Sequence, residues 1–225
     1  MKRCGGRTLA WLLPMCLGVA LAWPGARLRA QANPNLSANA QLLLAARQND
    51  MATVERALGQ GAAPNSRNRL GKTALVLAAE KGQLALAERM LNAGADVNLA
   101  SLEGVTPLMA ASYTGNVALV KRLLAAGART EPLDRMHKPA VVYAAGQGHG
   151  AVVEVLLAAG VDVNAAYEHR LTALMWAAGQ GHADAVKLLL IRGARADATD
   201  DRGLDALQIA RQAGHAAVVA VLQSR

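Results

Sequence analysis

The chain has 225 residues, 53% of them hydrophobic, with no phenylalanine, two cysteines and a formal net charge of +8. That length suffices for one domain with a sizeable core, and the composition requires the core to be built from alanine and branched aliphatics. Five of the 24 basic side chains (Lys2, Arg3, Arg7, Arg27, Arg29) and none of the acids fall in residues 1–30, which leaves 19 basic against 16 acidic, a net of +3. So balanced a remainder argues against a nucleic-acid footprint.

The first element in chain order is a leader. Its basic start is followed by the apolar run "LAWLLPMCLGVALA", Leu9 to Ala22, and then by the turn-prone "WPGARLRAQANP". This layout predicts a secretory signal peptide over residues 1–32, cut after Ala30 or Ala32 to leave Gln31 or Asn33 first. The run of 14 residues is short of the ~20 that span a bilayer as a helix. Retention as a membrane anchor is the alternative, and Cys16 as a lipidation site lacks the small residues such signals use. Cys4 and Cys16 both lie in this leader, so the rest can form no disulfide and must be held by packing.

Beyond the leader the sequence repeats every 33 residues. Ala45–Gly61 reads "AARQNDMATVERALGQG", Ala78–Gly94 "AAEKGQLALAERMLNAG" and Ala111–Gly127 "ASYTGNVALVKRLLAAG". Ala144–Gly160 follows as "AAGQGHGAVVEVLLAAG", Ala177–Gly193 as "AAGQGHADAVKLLLIRG", and a sixth copy begins at Ala210. There is no insertion or deletion among the six, which marks a stacked-repeat architecture. Within each unit Thr73, Thr106, Thr172 and Asp205 fall at one position and can cap a helix N-terminus, with Pro107 just inside one such start. A short helix follows, with Leu75, Leu108, Val141, Leu174 and Leu207 inward and Ala78, Ala111, Ala144, Ala177 and Ala210 one turn on. Gly82, Gly115, Gly148, Gly181 and Gly214 end it where a left-handed residue is needed. A second helix carries "VKRLL", "VEVLL" or "VKLLL" at helical spacing, and Gly94, Gly127, Gly160 and Gly193 close it. Segments such as "ADVN" (Ala95–Asn98) and "VDVN" (Val161–Asn164) then lead through an extended turn to the next unit.

On these residues the chain resembles the ankyrin repeat family, most closely along "GVTPLMAASYTGNVALVKRLLAAGA" from Gly104 to Ala128. The resemblance implies an all-α solenoid of helix–loop–helix–hairpin units, six repeats including degenerate caps. A capping repeat is expected over 33–67, full repeats over 68–100, 101–133, 134–166 and 167–199, and a truncated cap over 200–225. It also implies an interaction module that is not an enzyme. The family's histidine after "TPL" is replaced by Val76, Met109, Val142, Met175 and Gln208, so units are expected to rely more on apolar packing. Pro139 cannot cap, and His137 and Arg170 stand where the turn glycine belongs, which predicts irregular hairpins around 129–139 and 165–172.

Other motifs dissolve into the period. Of Gly146, Gly148 and Gly150 only Gly148 recurs in the units on both sides, so they form no phosphate loop. "GKT" at Gly71–Thr73 has Ser66 where that loop needs glycine. His149, His182 and His215 read as polar residues opening the inter-helix loop. His137 and His169 lie in successive hairpins and could approach each other, without further ligands for a metal. Asp200-Asp201 reads as a solvated turn, and Tyr143 and Trp176 as partly buried core rather than ligand stackers.

Functionally, the pattern predicts an exported module that binds another protein through a concave surface of hairpin tips and first-helix faces, periplasmic if the source is bacterial. The contact residues expected are Arg69, Lys72, Glu103, Val105, Tyr113, Met136, Lys138, His169 and Leu171, at positions that do not build the core. No cofactor, nucleic acid or small-molecule substrate is expected, a membrane only if the leader stays uncut, and the chain is expected to be a monomer. The alternative is a periplasmic inhibitor or immunity factor that occludes a toxin or enzyme.

Overall fold

A computed structural model describes residues 37–224, so the predicted leader and its cleavage sites lie outside the described residues. The described part holds twelve α-helices and no strand, and the helices fall into six antiparallel pairs. They are α1 (Ala38–Gln48) with α2 (Met51–Gly59), α3 (Ala74–Glu80) with α4 (Leu84–Asn92), α5 (Pro107–Thr114) with α6 (Val117–Ala125), and α7 (Ala140–Gly146) with α8 (Gly150–Ala158). The last are α9 (Ala173–Gly179) with α10 (Ala183–Ile191) and α11 (Ala206–Gln212) with α12 (Ala216–Gln223). A 3₁₀ turn, Glu168–Arg170, lies in the hairpin before α9.

The helix starts follow from side-chain caps. Thr73, Thr106 and Thr172 accept the N–H of Val76, Met109 and Met175 at 3.2, 3.2 and 3.3 Å, and Asp205 that of Gln208 at 2.7 Å. Pro139 offers no such bond to α7. Gly82, Gly115, Gly148, Gly181 and Gly214 all have positive φ, between 64° and 83°. Ala78, Ala111, Ala144, Ala177 and Ala210 are fully buried, and these small side chains let successive first helices pack closely. Second helices of neighbouring units pack less closely, so the stack bends toward its first-helix side.

Polar bonds between units are more numerous than the missing "TPL" histidines suggest. His149, His182 and His215 donate from Nε2 to the carbonyls of Tyr113, Gly146 and Gly179 in the preceding unit, each at 3.0 Å. A carbonyl only accepts, so Nε2 carries the proton. Asn116 does the same to Gly82 at 2.9 Å. The "ADVN" asparagines also reach across: Asn98 takes Arg129 N–H and donates to Gly127, and Asn164 takes Arg195 N–H and donates to Gly193. The three histidines are therefore inter-unit links rather than plain loop openers.

The hairpins are held by a side chain at their first position. Asn68, Asp134 and Asp200 each accept, on one oxygen, the backbone N–H groups two and four residues on, at 2.8 to 3.0 Å. This corrects the solvated reading of Asp200, which is buried and also clamped by the Arg202 guanidinium at 2.7 Å. Burial pushes its carboxyl up, but the bonds from Leu204 and Arg202 outweigh that and hold its pKa below the ordinary carboxylate value. With Asp134 in place, His137 simply adopts the glycine's left-handed conformation, φ 50°, and the fourth hairpin keeps its form. In the fifth, Tyr167 stands at the clamp position and has no such acceptor. There His169 and Arg170 are both left-handed and the 3₁₀ turn forms, as the expected irregularity required.

Neighbouring hairpin tips are joined by single backbone bonds at a spacing of 32 residues: Leu102 N–H to Leu70, Arg135 N–H to Glu103 and Asp201 N–H to His169. The equivalent bond from Glu168 to Met136 is absent among the described residues, which leaves an opening between the fourth and fifth tips.

Two stability changes follow. A Cβ on Gly148 would come 2.6 Å from His182 Nδ1, and its φ is 75°. Gly148→Ala should cost about 2 kcal/mol or more, since left-handed backbone alone costs roughly 1–2. Adding His182→Ala should recover the steric part but not the backbone part, as read by urea denaturation. Ser112 is fully buried with an unpaired hydroxyl, and its equivalents are Ala79, Ala145 and Ala178. Ser112→Ala should raise stability by about 1 kcal/mol in the same assay.

Candidate binding surface

The nine predicted contact residues divide into two groups. Arg69 is exposed on the second hairpin tip. Lys72 is engaged by Glu80 at 2.6 Å, and Glu103 by Arg135 at 3.2 Å across two tips. Val105 and Leu171 are partly buried and pack against the core, which corrects the expectation that their positions stand apart from it. The residue after the turn points back over the first helix, so an apolar side chain there collapses inward. Tyr113, Met136, Lys138 and His169 form the other group and, together with Leu171, gather about the opening between the fourth and fifth tips and the face of α7 beside it.

Two hollows flank this place. One, of about 200 Å³, is lined by Tyr113, Tyr143, Gly146, Gln147, Lys138 and Trp176. The other, of about 230 Å³, opens where the backbone bond between tips is missing, and is lined by Met136, His137, Lys138, Tyr167, Leu171 and Trp176, with Glu168 and His169. Lys138 and Trp176 line both and form the ridge between them. The Lys138 ammonium sits 4.7 Å from the centroid of the Trp176 ring and 3.8 Å from Met136 Sδ. Tyr113 and Met136 are 52% and 59% exposed, large apolar surface left facing water.

The floor is fixed from below. Tyr113 meets Tyr143 edge to face, with centroids 6.1 Å apart. The Tyr143 phenol donates to Asp134 Oδ2, while Asp134 Oδ1 holds the fourth hairpin. Burial and then this bond push the Tyr143 phenol well above the ordinary tyrosine range. Around the rim His137 Nδ1 lies 3.4 Å from Glu168, and His169 lies 4.0 Å from Glu168 and 3.4 Å from Asp201. The two histidines do approach a common carboxylate. No group of three or more His, Cys, Asp or Glu among the described residues could hold a metal ion.

Tyr143, Tyr167 and Trp176 belong to this surface and were missed as contact residues. Tyr143 and Trp176 are half-buried, as expected, yet line the hollows as well. The signal lay beside them: the row Glu80, Tyr113, Gly146, Gly179, Gln212 falls to glycine in units 4 and 5, and the bare Gly146 lies next to the Trp176 ring. A larger and more open hollow, about 740 Å³, lies on the second-helix side between Lys121, Glu154 and Arg192. It has no aromatic lining, and Glu154 and Arg192 already satisfy each other at 2.6 Å. No described helix is long and apolar enough to cross a membrane.

Among protein-family models, that for ankyrin repeats (3 copies) matches residues 42–134, 79–167 and 141–225, overlapping segments that together run from 42 to 225. No curated protein matches the sequence. The family pattern treats the units alike, so what sets units 3 to 5 apart is the aromatic floor and its anchor on Asp134. Tyr143→Phe leaves the buried Asp134 Oδ2 without its donor and should cost about 2 kcal/mol in thermal or urea denaturation.

Proposed function

The chain belongs to the ankyrin repeat family, and we propose that it is an exported module that binds a partner protein through the first-helix and hairpin surface of units 3 to 5. Ankyrin repeats generally mediate protein–protein interaction, and proteins built from them are typically not enzymes. The observation that carries the choice of surface is the pair of hollows around Lys138 and Trp176, walled by exposed Tyr113 and Met136. Aromatic and methionine side chains are what interface centres favour. The surface is built on packed helices and on a fourth turn clamped by Asp134, so little ordering entropy is lost there when a partner docks. Export is supported by the basic start and short apolar run of the leader, and a bacterial source would place the protein in the periplasm.

The test expresses the full chain, recovers the exported form and measures its intact mass and its capture of crosslinked partner. The mass should lack residues 1–30 or 1–32. Tyr113→Ala with Met136→Ala removes two exposed side chains and, apart from the Tyr113–Tyr143 edge contact worth about 1 kcal/mol, should leave stability unchanged while weakening capture at least about tenfold, roughly 1.4 kcal/mol. The control pair Lys121→Ala with Lys187→Ala, on the second-helix side, should leave capture intact. Loss of capture in the control pair alone would move the interface to the outer face. A mass that includes residues 1–22 would favour an anchored protein.

A further inference from the structure

Lys138 has an equivalent in unit 2 whose charge is answered from within. There Lys72 pairs at 2.6 Å with Glu80, eight residues on at the end of α3. In unit 4 the residue eight on is Gly146, which has no side chain to answer the charge, and the nearest group to where its Cβ would lie is the Trp176 ring, with Cε3 at 4.0 Å. Among the described residues Lys138 has no ion-pair partner; its ammonium rests against the tryptophan face and the Met136 thioether, both soft and neutral. Asp134, the nearest acid in sequence, is spent on Tyr143 and the turn. Glu168, across the opening, lies 3.4 and 4.0 Å from His137 and His169 and makes no ion pair with Lys138. A partly buried cation whose flanking hollows each offer aromatic and aliphatic walls, Tyr113, Tyr143 and Trp176 on one side and Met136, Leu171 and Trp176 on the other, is complementary to a carboxylate flanked by apolar side chains.

We infer that the Lys138–Trp176 ridge is a carboxylate-recognition site: it takes an extended acidic segment of the partner protein, whose carboxylate assumes the role Glu80 plays for Lys72 and whose neighbouring apolar side chains enter the two hollows. This rests on the proposed docking surface and adds the chemistry of what docks there. The occupant is a peptide segment rather than a free anion, because the volume beside Lys138 is walled by Tyr113, Tyr143, Met136 and Leu171 and offers apolar contact on either side of the charge.

The test uses the full chain and two capped peptides, acetyl-Ala-Leu-Glu-Leu-Ala-amide and its Gln counterpart, titrated at low salt while the Trp176 indole N–H resonance is followed by NMR. The Glu peptide should bind at least about fivefold more tightly than the Gln peptide, near the upper end for a partly solvated ion pair. Lys138→Met should abolish the difference. Gly146→Glu restores in unit 4 the internal carboxylate of unit 2, and should block the Glu peptide. Gly146 is buried with an ordinary helical backbone, and an added Cβ meets only Trp176 Cε3, at 4.0 Å; the melting temperature of this variant is measured alongside, and Lys138→Met decides the test if the glutamate is not accommodated. Equal binding of both peptides, no binding of either, or a difference that survives Lys138→Met would each overturn the inference. Should that happen while Tyr113→Ala with Met136→Ala still weakens partner capture, the docking surface stands and only its preference for a carboxylate falls.

Discussion

The spacing between successive first helices is the constraint on which the rest of the stack depends. It is set by the fully buried alanines Ala78, Ala111, Ala144, Ala177 and Ala210, whose single methyls are all that the contact admits. At that separation a histidine at the start of one second helix just reaches a carbonyl in the preceding unit, and its ring lies on a glycine that has no room for a Cβ. The same separation brings neighbouring hairpin tips within reach of one backbone bond. A larger residue in the alanine row would loosen all three kinds of contact together, which is why a chain with no phenylalanine can still be well packed.

Local rules were enough to read the helices. A capping hydroxyl, a left-handed glycine and an apolar stripe each act within a few residues, and the period repeats them until chance is excluded. Contacts between units were less legible, because they depend on which carbonyl lies one unit back. Asn98 and Asn164 look like turn residues in sequence and prove to be staples between units. Asp200 looks solvated beside Asp201 and is buried, because its carboxylate turns inward to hold the hairpin's own N–H groups. Val105 and Leu171 were expected to stand apart from the core because their repeat position lies outside the helices, which does not report whether an apolar side chain folds back onto the core.

The candidate site was legible in part for the same reason. Tyr113, Met136 and Lys138 stand out one by one as residue types. The opening they surround is a property of two units at once, since it arises where the fifth hairpin carries Tyr167 and left-handed His169 and Arg170 in place of a clamped turn. The departure from the family pattern that predicted an irregular hairpin thus coincides with the opening between the fourth and fifth tips. Regular repeats build the platform, and one local failure of regularity sets these two units apart from the others.

The histidine and asparagine bonds to the first-helix ends share one direction. His149, His182, His215 and Asn116 all donate backward, from the later unit to a carbonyl of the earlier one. Each unit therefore presents acceptors to its successor and needs the successor for none of its own side-chain donors at this junction. Asn98 and Asn164 donate the other way, to Gly127 and Gly193 at the second-helix ends of the following units. A unit within the stack is thus tied on both sides, like masonry bonded through both faces, and cannot come loose without breaking bonds to each neighbour.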